Sequence, residues 1–314
     1  MVKKWLLSNL IGIIITVSIL ITVVGLIISL VSKEEIITHP NNVQFRNGPG
    51  RQYKSLASLK SGTRLIVIDK KHGWWQVRRS DNEKVGWVAS WVANSTILKT
   101  AKPISEATIV LDPGHGGSDT GALSSNGKYK EKTYTLRTAR HVRAALKPTG
   151  ARVIMTRDSD KIVPLLKIAI PGEKNKADAQ ISFHFDSSAE GTKATGISQY
   201  YYHKNSKTLA EVVSSSLNNM PLNNRGVDTA AYIAIKNTSQ PAILLENGFI
   251  NNNADLKYIR KSSYQKKIAK NLTTALTTYF KQNTEMKKCH YLKKQNHKLK
   301  RMQLIKPQKQ LKIV

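Results

Sequence analysis

The chain has 314 residues and is strongly basic, since 50 Lys and Arg against 20 Asp and Glu give a formal net charge of +30. The single cysteine excludes an intramolecular disulfide framework, so the fold must rely on buried apolar cores. Such a charge favours anionic partners, of which nucleic acid is the commonest. The sequence contains no helix-turn-helix, zinc-finger or aromatic-basic RNA-binding motif, so we expect no nucleic-acid partner.

Residues 1–34 predict a cytoplasmic tip followed by a transmembrane anchor. No charged residue occurs from Leu10 to Val31, and about 20 apolar residues in a helix cross a bilayer core. Lys3 and Lys4 precede this run, which favours a cytoplasmic N-terminus and a single-pass cell-membrane protein whose folded part is extracellular. A cleaved signal peptide is the alternative, but it usually has a shorter apolar core. Outside the cell, anionic wall polymers or lipid headgroups are the expected partners of the basic surface.

Residues 35–97 predict a small all-β barrel, because short apolar strands alternate with turns rich in Gly and Asn. The predicted strands are Val43–Phe45, Arg64–Ile68, Trp74–Val77 and Val85–Val88. The motifs Phe45-Arg46-Asn47-Gly48-Pro49 and Gly86-Trp87-Val88 resemble those of bacterial SH3 domains.

The tryptophans of this domain, Trp74, Trp75 and Trp87, have two interpretations, as peptide-binding aromatics or as barrel core. The following residues, 98–106, show no apolar periodicity and include Pro103, so they predict a linker.

The second domain, residues 107–282, is organised around a histidine in a glycine-rich turn. The apolar strand from Thr108 to Leu111 leads into Asp112-Pro113-Gly114-His115-Gly116-Gly117. Proline and glycine allow a tight loop that holds His115 beyond the strand end, where open α/β sheets bind ligands. Glu131 begins a helix with apolar residues at helical spacing, and the strand Arg152–Arg157 completes a parallel β-α-β unit.

Two further polar residues follow apolar strands. His184 comes after Ala179–Phe183, and Glu246 comes after Pro241–Leu245. Burying a carboxylate there is costly without a partner or a cation, so Glu246 is a functional candidate on physical grounds. A zinc hydrolase uses three protein ligands and an open position, and with one cysteine these ligands must come from histidines and carboxylates.

The chain ends in a predicted amphipathic helix, Ser263–Phe280, followed by a basic tail. Residues 283–314 carry many lysines with few apolar residues between them, which predicts a disordered, solvated segment.

Four motifs in order resemble the signatures of zinc-dependent N-acetylmuramoyl-L-alanine amidases of the Amidase 3 family. They are Leu111-Asp112-Pro113-Gly114-His115-Gly116-Gly117, Glu131, Ile181-Ser182-Phe183-His184 and Leu245-Glu246-Asn247-Gly248-Phe249. The resemblance implies an α/β domain with a mainly parallel, twisted sheet flanked by helices. It also implies peptidoglycan as substrate, with hydrolysis of the amide bond between the muramoyl lactyl group and L-alanine.

Carried over by position, the resemblance makes His115, Glu131 and His184 the Zn²⁺ ligands and Glu246 the catalytic carboxylate. Asp112 and Asp186 are candidates for orienting the ligand histidines, or alternatively for capping loops.

The sequence departs from the family pattern between the second strand and His184. The family carries leucine-x-x-arginine and then alanine-asparagine, where this chain has Leu165, Ile168 and Gly172-Glu173. This departure affects the expected substrate positioning and favours dependence on a membrane-protein activator. Two alternatives to an independent amidase are an inactive wall-binding scaffold and a zinc peptidase that cleaves the stem peptide.

Overall fold

The computed structural model describes residues 5, 8–31, 34–189 and 193–304, with side chains for all of these except 26–31 and 287–304. The predicted cytoplasmic tip at Lys3 and Lys4 and the end of the basic tail from residue 305 lie outside the described residues. The chain divides into two compact units, Met1–Asn94 and Ser95–Val314.

The first helix, α1 (Leu10–Val31), covers the apolar N-terminal run for which a membrane anchor is predicted. Within the part of the chain that the structure describes, no helix has the length and apolar character needed to cross a bilayer.

The first unit contains a six-stranded antiparallel sheet with the strand order β1-β4-β5-β6-β2-β3. Its strands are β1 (Glu35–Ile37), β2 (Val43–Arg46), β3 (Ser55–Leu59), β4 (Arg64–Lys71), β5 (Trp74–Arg79) and β6 (Val85–Ala89), and a short helix, α2 (Ser90–Ala93), follows them. Each predicted strand is present. The strands β1 and β3 were not predicted, because their apolar patterns are short.

The tryptophans of the first unit differ in burial. Trp74 is 4% exposed, packs in the core and makes an edge-to-face contact with Trp91. Trp75 and Trp87 are half-buried. The core interpretation therefore holds for Trp74, and the surfaces of the other two remain accessible to a ligand.

The second unit contains a six-stranded sheet with the order β11-β10-β12-β9-β7-β8. β8, β7, β9 and β12 are mutually parallel, and β10 pairs antiparallel with β12. The prediction of a mainly parallel sheet is thus confirmed. Its strands are β7 (Thr108–Pro113), β8 (Arg152–Met155), β9 (Ala179–Asp186), β10 (Ile197–Tyr201), β11 (Asn224–Thr229) and β12 (Ala242–Phe249).

Helices cover the sheet, and the main apolar core lies between one face of the sheet and the helices α3, α5, α7 and α8, whose bounds follow. The helices are α3 (Glu131–Leu146), α4 (Ile170–Asn175), α5 (Lys207–Leu217), α6 (Ile233–Lys236), α7 (Asn253–Ile259) and α8 (Ser262–Leu304). Side chains such as Ile181, Phe183 and Leu245 pack in one buried cluster with residues of α3, α5 and α8. Because side chains alternate along a strand, Ser182, His184 and Glu246 lie on the opposite face.

Two strands run further than the sequence predicted, and this changes where the site residues lie. β9 and β12 continue through His184 and Glu246, so these residues lie within strands and not after them. The reason is that polar and apolar residues keep alternating in Phe183-His184-Phe185, with both phenylalanines fully buried. Only His115 follows its strand, as predicted.

The predicted linker and tail also differ from the structure. Residues 98–106 include a 3₁₀ helix, Pro103–Glu106, in which Ile104 is buried in the main core of the second unit. The last helix continues to Leu304, so residues 283–304 are helical and not disordered. That segment has many lysine, leucine and glutamine residues, which favour helix, and no Gly or Pro before Pro307.

Candidate active site

The loop that follows β7 is held by a buried arginine. The Arg157 guanidinium is 1% exposed and donates hydrogen bonds to the carbonyl oxygens of Pro113 and Gly114, both at 2.9 Å. The Thr135 hydroxyl donates to the Gly114 carbonyl at 2.8 Å. His115 has a left-handed backbone with φ of 61°, so this network fixes a conformation that non-glycine residues rarely adopt.

Three side chains predicted to bind metal converge at this edge of the sheet. Glu131, the first residue of α3, lies 3.1 Å from His115 Nε2 through one carboxylate oxygen and 2.9 Å from His184 Nδ1 through the other. The two imidazole rings lie 4.9 Å apart and nearly perpendicular. One ligand atom from each residue lies within 4.8 Å of the others, so the three could share one metal ion.

Glycines allow these side chains to approach one another. A Cβ on Gly121 would lie 2.6 Å from both Glu131 Oε2 and His115 Cδ2, at a backbone φ of +63°. A Cβ on Gly114 would overlap the His184 ring. The glycine positions of the loop therefore serve close packing around the ligands as well as backbone freedom.

The environment of Glu131 keeps its carboxylate charged. Burial opposes ionisation, but hydrogen bonds and charge interactions with His115 and His184 outweigh it and hold the pKa of Glu131 well below its ordinary value. The backbone amides of Ala122 and Phe185 also donate to its two oxygens, at 2.8 and 3.0 Å. A buried anion between two imidazoles is suited to a divalent cation.

The far nitrogen of His115 has a carboxylate partner that the sequence analysis missed. Asp119 Oδ2 lies 2.8 Å from His115 Nδ1. Burial disfavours the charged imidazole, yet Glu131 and Asp119 outweigh it and raise the pKa of His115 to about 9. A carboxylate on the nitrogen opposite the metal is the usual means of orienting a ligand histidine, so the residues present fit a metal.

Asp112 and Asp186 do not fill the orienting role that was one of their two interpretations. Asp112 is buried and accepts hydrogen bonds from the hydroxyls of Thr156 and Ser182, at 2.7 and 2.6 Å. Asp186 accepts from the amide of Ser187, which is the loop-capping alternative. The reason is positional, because Asp112 lies inside the strand while Asp119 lies on the loop that carries His115.

Glu246 lies beside the cluster on the neighbouring strand. It is directly opposite His184 in the parallel pairing of β12 with β9, so both side chains project from the same face. Its side chain is 8% exposed, and its Oε2 is buried with no hydrogen-bond partner among the described residues. Burial, together with the negative charges of Glu131 and Asp186, raises the pKa of Glu246 well above its ordinary value.

A raised pKa, as at Glu246, is common among carboxyl groups that transfer protons in active sites. General acid-base catalysis needs a side chain that can both accept and release a proton, and such side chains often have perturbed pKa values. A cation bound at the cluster would oppose the repulsion from Glu131 and lower this pKa. The arrangement thus separates a cluster of three side chains that could hold a metal ion from one carboxylate suited to transfer protons.

The family model for N-acetylmuramoyl-L-alanine amidase, Amidase_3, matches residues 109–278, and the bacterial SH3 domain model matches residues 41–93. The chain belongs to the Amidase_3 family. It is therefore an N-acetylmuramoyl-L-alanine amidase with an SH3-like β domain.

Relatives of this amidase agree in both sequence and structure. It is 39% identical to the probable cell wall amidase LytH of Staphylococcus saprophyticus over 76% of this chain and 82% of that protein. It is 37% identical to the Staphylococcus aureus protein of the same name, over 78% and 84%. The solved N-acetylmuramoyl-L-alanine amidase AmiC2 of Nostoc punctiforme superposes with a TM-score of 0.53 at 32% identity, covering 55% of this chain and 96% of that one.

The segment that departs from the family pattern is ordered by its own contacts. Ile168 is buried, and the Glu173 carboxylate accepts hydrogen bonds from the backbone amide and hydroxyl of Ser239 at 2.8 Å. Where the family pattern has polar residues, this amidase therefore has a buried apolar side chain, Ile168, and a contact from Glu173 to the loop that follows α6.

Proposed function

We propose that the second unit hydrolyses the amide bond between the lactyl group of N-acetylmuramic acid and L-alanine in peptidoglycan, using one zinc ion held by His115, Glu131 and His184. The observation that carries this proposal is the cluster of two imidazoles and one carboxylate with Glu246 beside it. Nitrogen and oxygen ligands of this kind suit zinc and leave a coordination position open for catalysis.

Zinc, when bound, polarises a carbonyl group and acidifies water. The protein residues contribute position and proton transfer. Asp119 and Glu131 fix the orientation of the His115 ring, while Arg157 holds the loop beneath it. Glu246 accepts the proton of the attacking water and delivers it to the nitrogen of L-alanine, which leaves as a free amine.

The metal assignment is tested by zinc analysis of variants. His115→Ala and His184→Ala should each lose stoichiometric zinc, whereas His141→Ala, which lies in α3 beside Ser262 and outside the cluster, should retain it. Binding should also weaken in acid, because histidine must be unprotonated to bind metal. Undiminished zinc in the His115 variant would contradict the assignment.

The reaction is tested by mass analysis of products from purified peptidoglycan. Glycan chains with unsubstituted lactyl groups are the expected product. Free cross-bridge or D-alanine ends would instead indicate a peptidase. If no product forms even when candidate membrane-protein activators are added, the scaffold alternative would be favoured.

We also propose that residues 1–34 anchor the protein in the cell membrane with both folded units outside, facing the wall. Supporting this proposal are two features of the sequence, the run without charged residues from Leu10 to Val31 and the lysines that precede it. Protease added to wall-stripped cells should digest the chain after about Val31. Protection of the region around Trp74 would show that the orientation is wrong.

A further inference from the structure

The segment that departs from the family pattern leaves a group of apolar side chains exposed. Leu166 is 75% exposed and Leu165 is 58% exposed, although Ile168 between them and α4 is buried. We call this group the apolar rim, and it consists of Ile162, Leu165, Leu166, Ile170, Tyr232 and Ile233.

The apolar rim borders the active site. The 3₁₀ helix Leu165–Lys167 lies against α6, the helix that begins at Ile233. At its other end the backbone of Lys161 and Ile162 lies against the His115 loop, where a Cβ on Gly117 would be 2.8 Å from the Ile162 amide nitrogen. The apolar side chains therefore belong to one ordered surface on the catalytic side of the sheet.

Exposed lysines accompany the rim, and the aspartates of the adjoining loop have basic partners. Lys161, Lys167 and Lys236 are exposed. Among the acidic groups of the adjoining loop, Asp160 is 2.8 Å from Lys132 Nζ, and Asp158 lies 2.7 Å from Arg143. The surface thus combines protruding aliphatic side chains with a local excess of positive charge.

We propose that the apolar rim docks on an anionic lipid bilayer, with its aliphatic side chains in the headgroup region and the lysines on lipid phosphates. Apolar residues flanked by lysines are typical of surfaces that lie in a membrane interface. A protein partner is less well matched, because lysine is depleted from protein interfaces and leucine is rare among their hot spots. Docking would hold the active site next to the membrane surface.

This proposal goes beyond hydrolysis of peptidoglycan and does not depend on it, since membrane docking can be measured without substrate. The test uses the full chain with Cys289→Ser, so that a single introduced cysteine can carry an environment-sensitive dye. Leu166→Cys places the dye on the rim. Thr278→Cys is the matched control, because Thr278 is exposed on α8, which packs against the opposite face of the sheet.

The protein is incorporated in vesicles of phosphatidylglycerol or of phosphatidylcholine that contain lipid-borne quenchers. We expect a blue shift and strong quenching at position 166 on phosphatidylglycerol, weaker quenching on phosphatidylcholine, and none at position 278. Because α1 is present in both variants, membrane association through that helix does not distinguish the two positions.

The lysines supply a second measurement. Lys161→Gln with Lys167→Gln, in the Leu166→Cys background, should weaken docking roughly 25-fold, since each lysine near an anionic leaflet contributes about fivefold. Lys270→Gln with Lys281→Gln, exposed lysines of α8, should leave the quenching at position 166 unchanged.

Several results would overturn the proposal. One is an unquenched dye at position 166 on phosphatidylglycerol, and another is equal quenching at positions 166 and 278. A dye that is already shielded before vesicles are added would mean that another part of the chain, or a second copy, covers the rim. Shielding that requires an added membrane protein would assign the surface to a protein partner.

Discussion

Glu246 differs from the three clustered side chains in having one buried oxygen with no partner among the described residues. Glu246→Gln keeps the shape of the side chain but removes its basicity. We expect turnover to fall about 10²–10⁴-fold, the usual contribution of general acid-base catalysis, with zinc content and folding unchanged. Steady-state hydrolysis of a soluble muropeptide, together with zinc analysis, measures both.

Glu131→Gln provides the contrast, because this carboxylate contacts both histidines. It should lose zinc affinity together with turnover. If Glu246→Gln lost zinc while Glu131→Gln retained it, the proposed roles of the two glutamates would have to be exchanged.

Gly121 offers a test of close packing at the cluster. Gly121→Ala adds a Cβ 2.6 Å from Glu131 Oε2 at a φ of +63°, and displacement of this carboxylate should lower zinc affinity about 10–100-fold. Gly127→Ala is the matched control, since its φ is +69° but no atom lies within 4 Å of the added Cβ. Zinc titration of both variants separates packing from backbone strain, and equal losses would refute the packing argument.

At the residue scale, the sequence identified the clustered side chains but not the residues that hold them. His115, Glu131 and His184 were found because they occur in characteristic motifs, and they do converge. Asp119 and Arg157 were missed because nothing in their local pattern separates them from ordinary loop residues. Their roles depend on a conformation in which Asp119 turns back to His115 and Arg157 reaches carbonyl groups 43 and 44 positions away in the chain.

At the scale of elements, periodicity predicted which strands exist better than where they end. β9 was expected to stop before His184 because a polar residue follows an apolar run, yet the alternation continues to Asp186. β10 and β11 were not predicted, since their residues are mostly polar or partly exposed. When one face of a strand carries site residues and the other face packs in the core, the first polar site residue is easily mistaken for the end of the strand.

The 3₁₀ helix in the predicted linker should contribute measurably to stability. Ile104 is 1% exposed in the main core, so Ile104→Ala should lower the free energy of unfolding by about 2–5 kcal/mol. Ile97→Ala is the control, because Ile97 is 62% exposed and surface changes are usually within about 0.5 kcal/mol. Urea denaturation monitored at the second unit measures the difference, and equal effects would mean that the segment behaves as a linker.

At the scale of the whole molecule, the basic composition predicts anionic partners, but it does not predict how the chain is divided into units or where the last helix ends. The division into two units could be anticipated from the change between short strands with turns and longer alternating elements, and the structure divides after Asn94. The continuation of α8 was missed because a run of lysines resembles a solvated tail, although the same residues favour helix.

The net charge of +30 should make wall binding sensitive to salt when the wall carries an anionic polymer. The Debye length falls from about 10 Å at 0.1 M salt to about 3 Å at 1 M, so attraction between exposed charges weakens steeply over this range. Retention of the full chain on polymer-bearing wall fragments should therefore drop as salt is raised. Fragments stripped of the polymer should bind less at low salt and show little further change. Equal retention on the two kinds of fragment at low salt would mean that the charge does not direct the protein to anionic wall polymers.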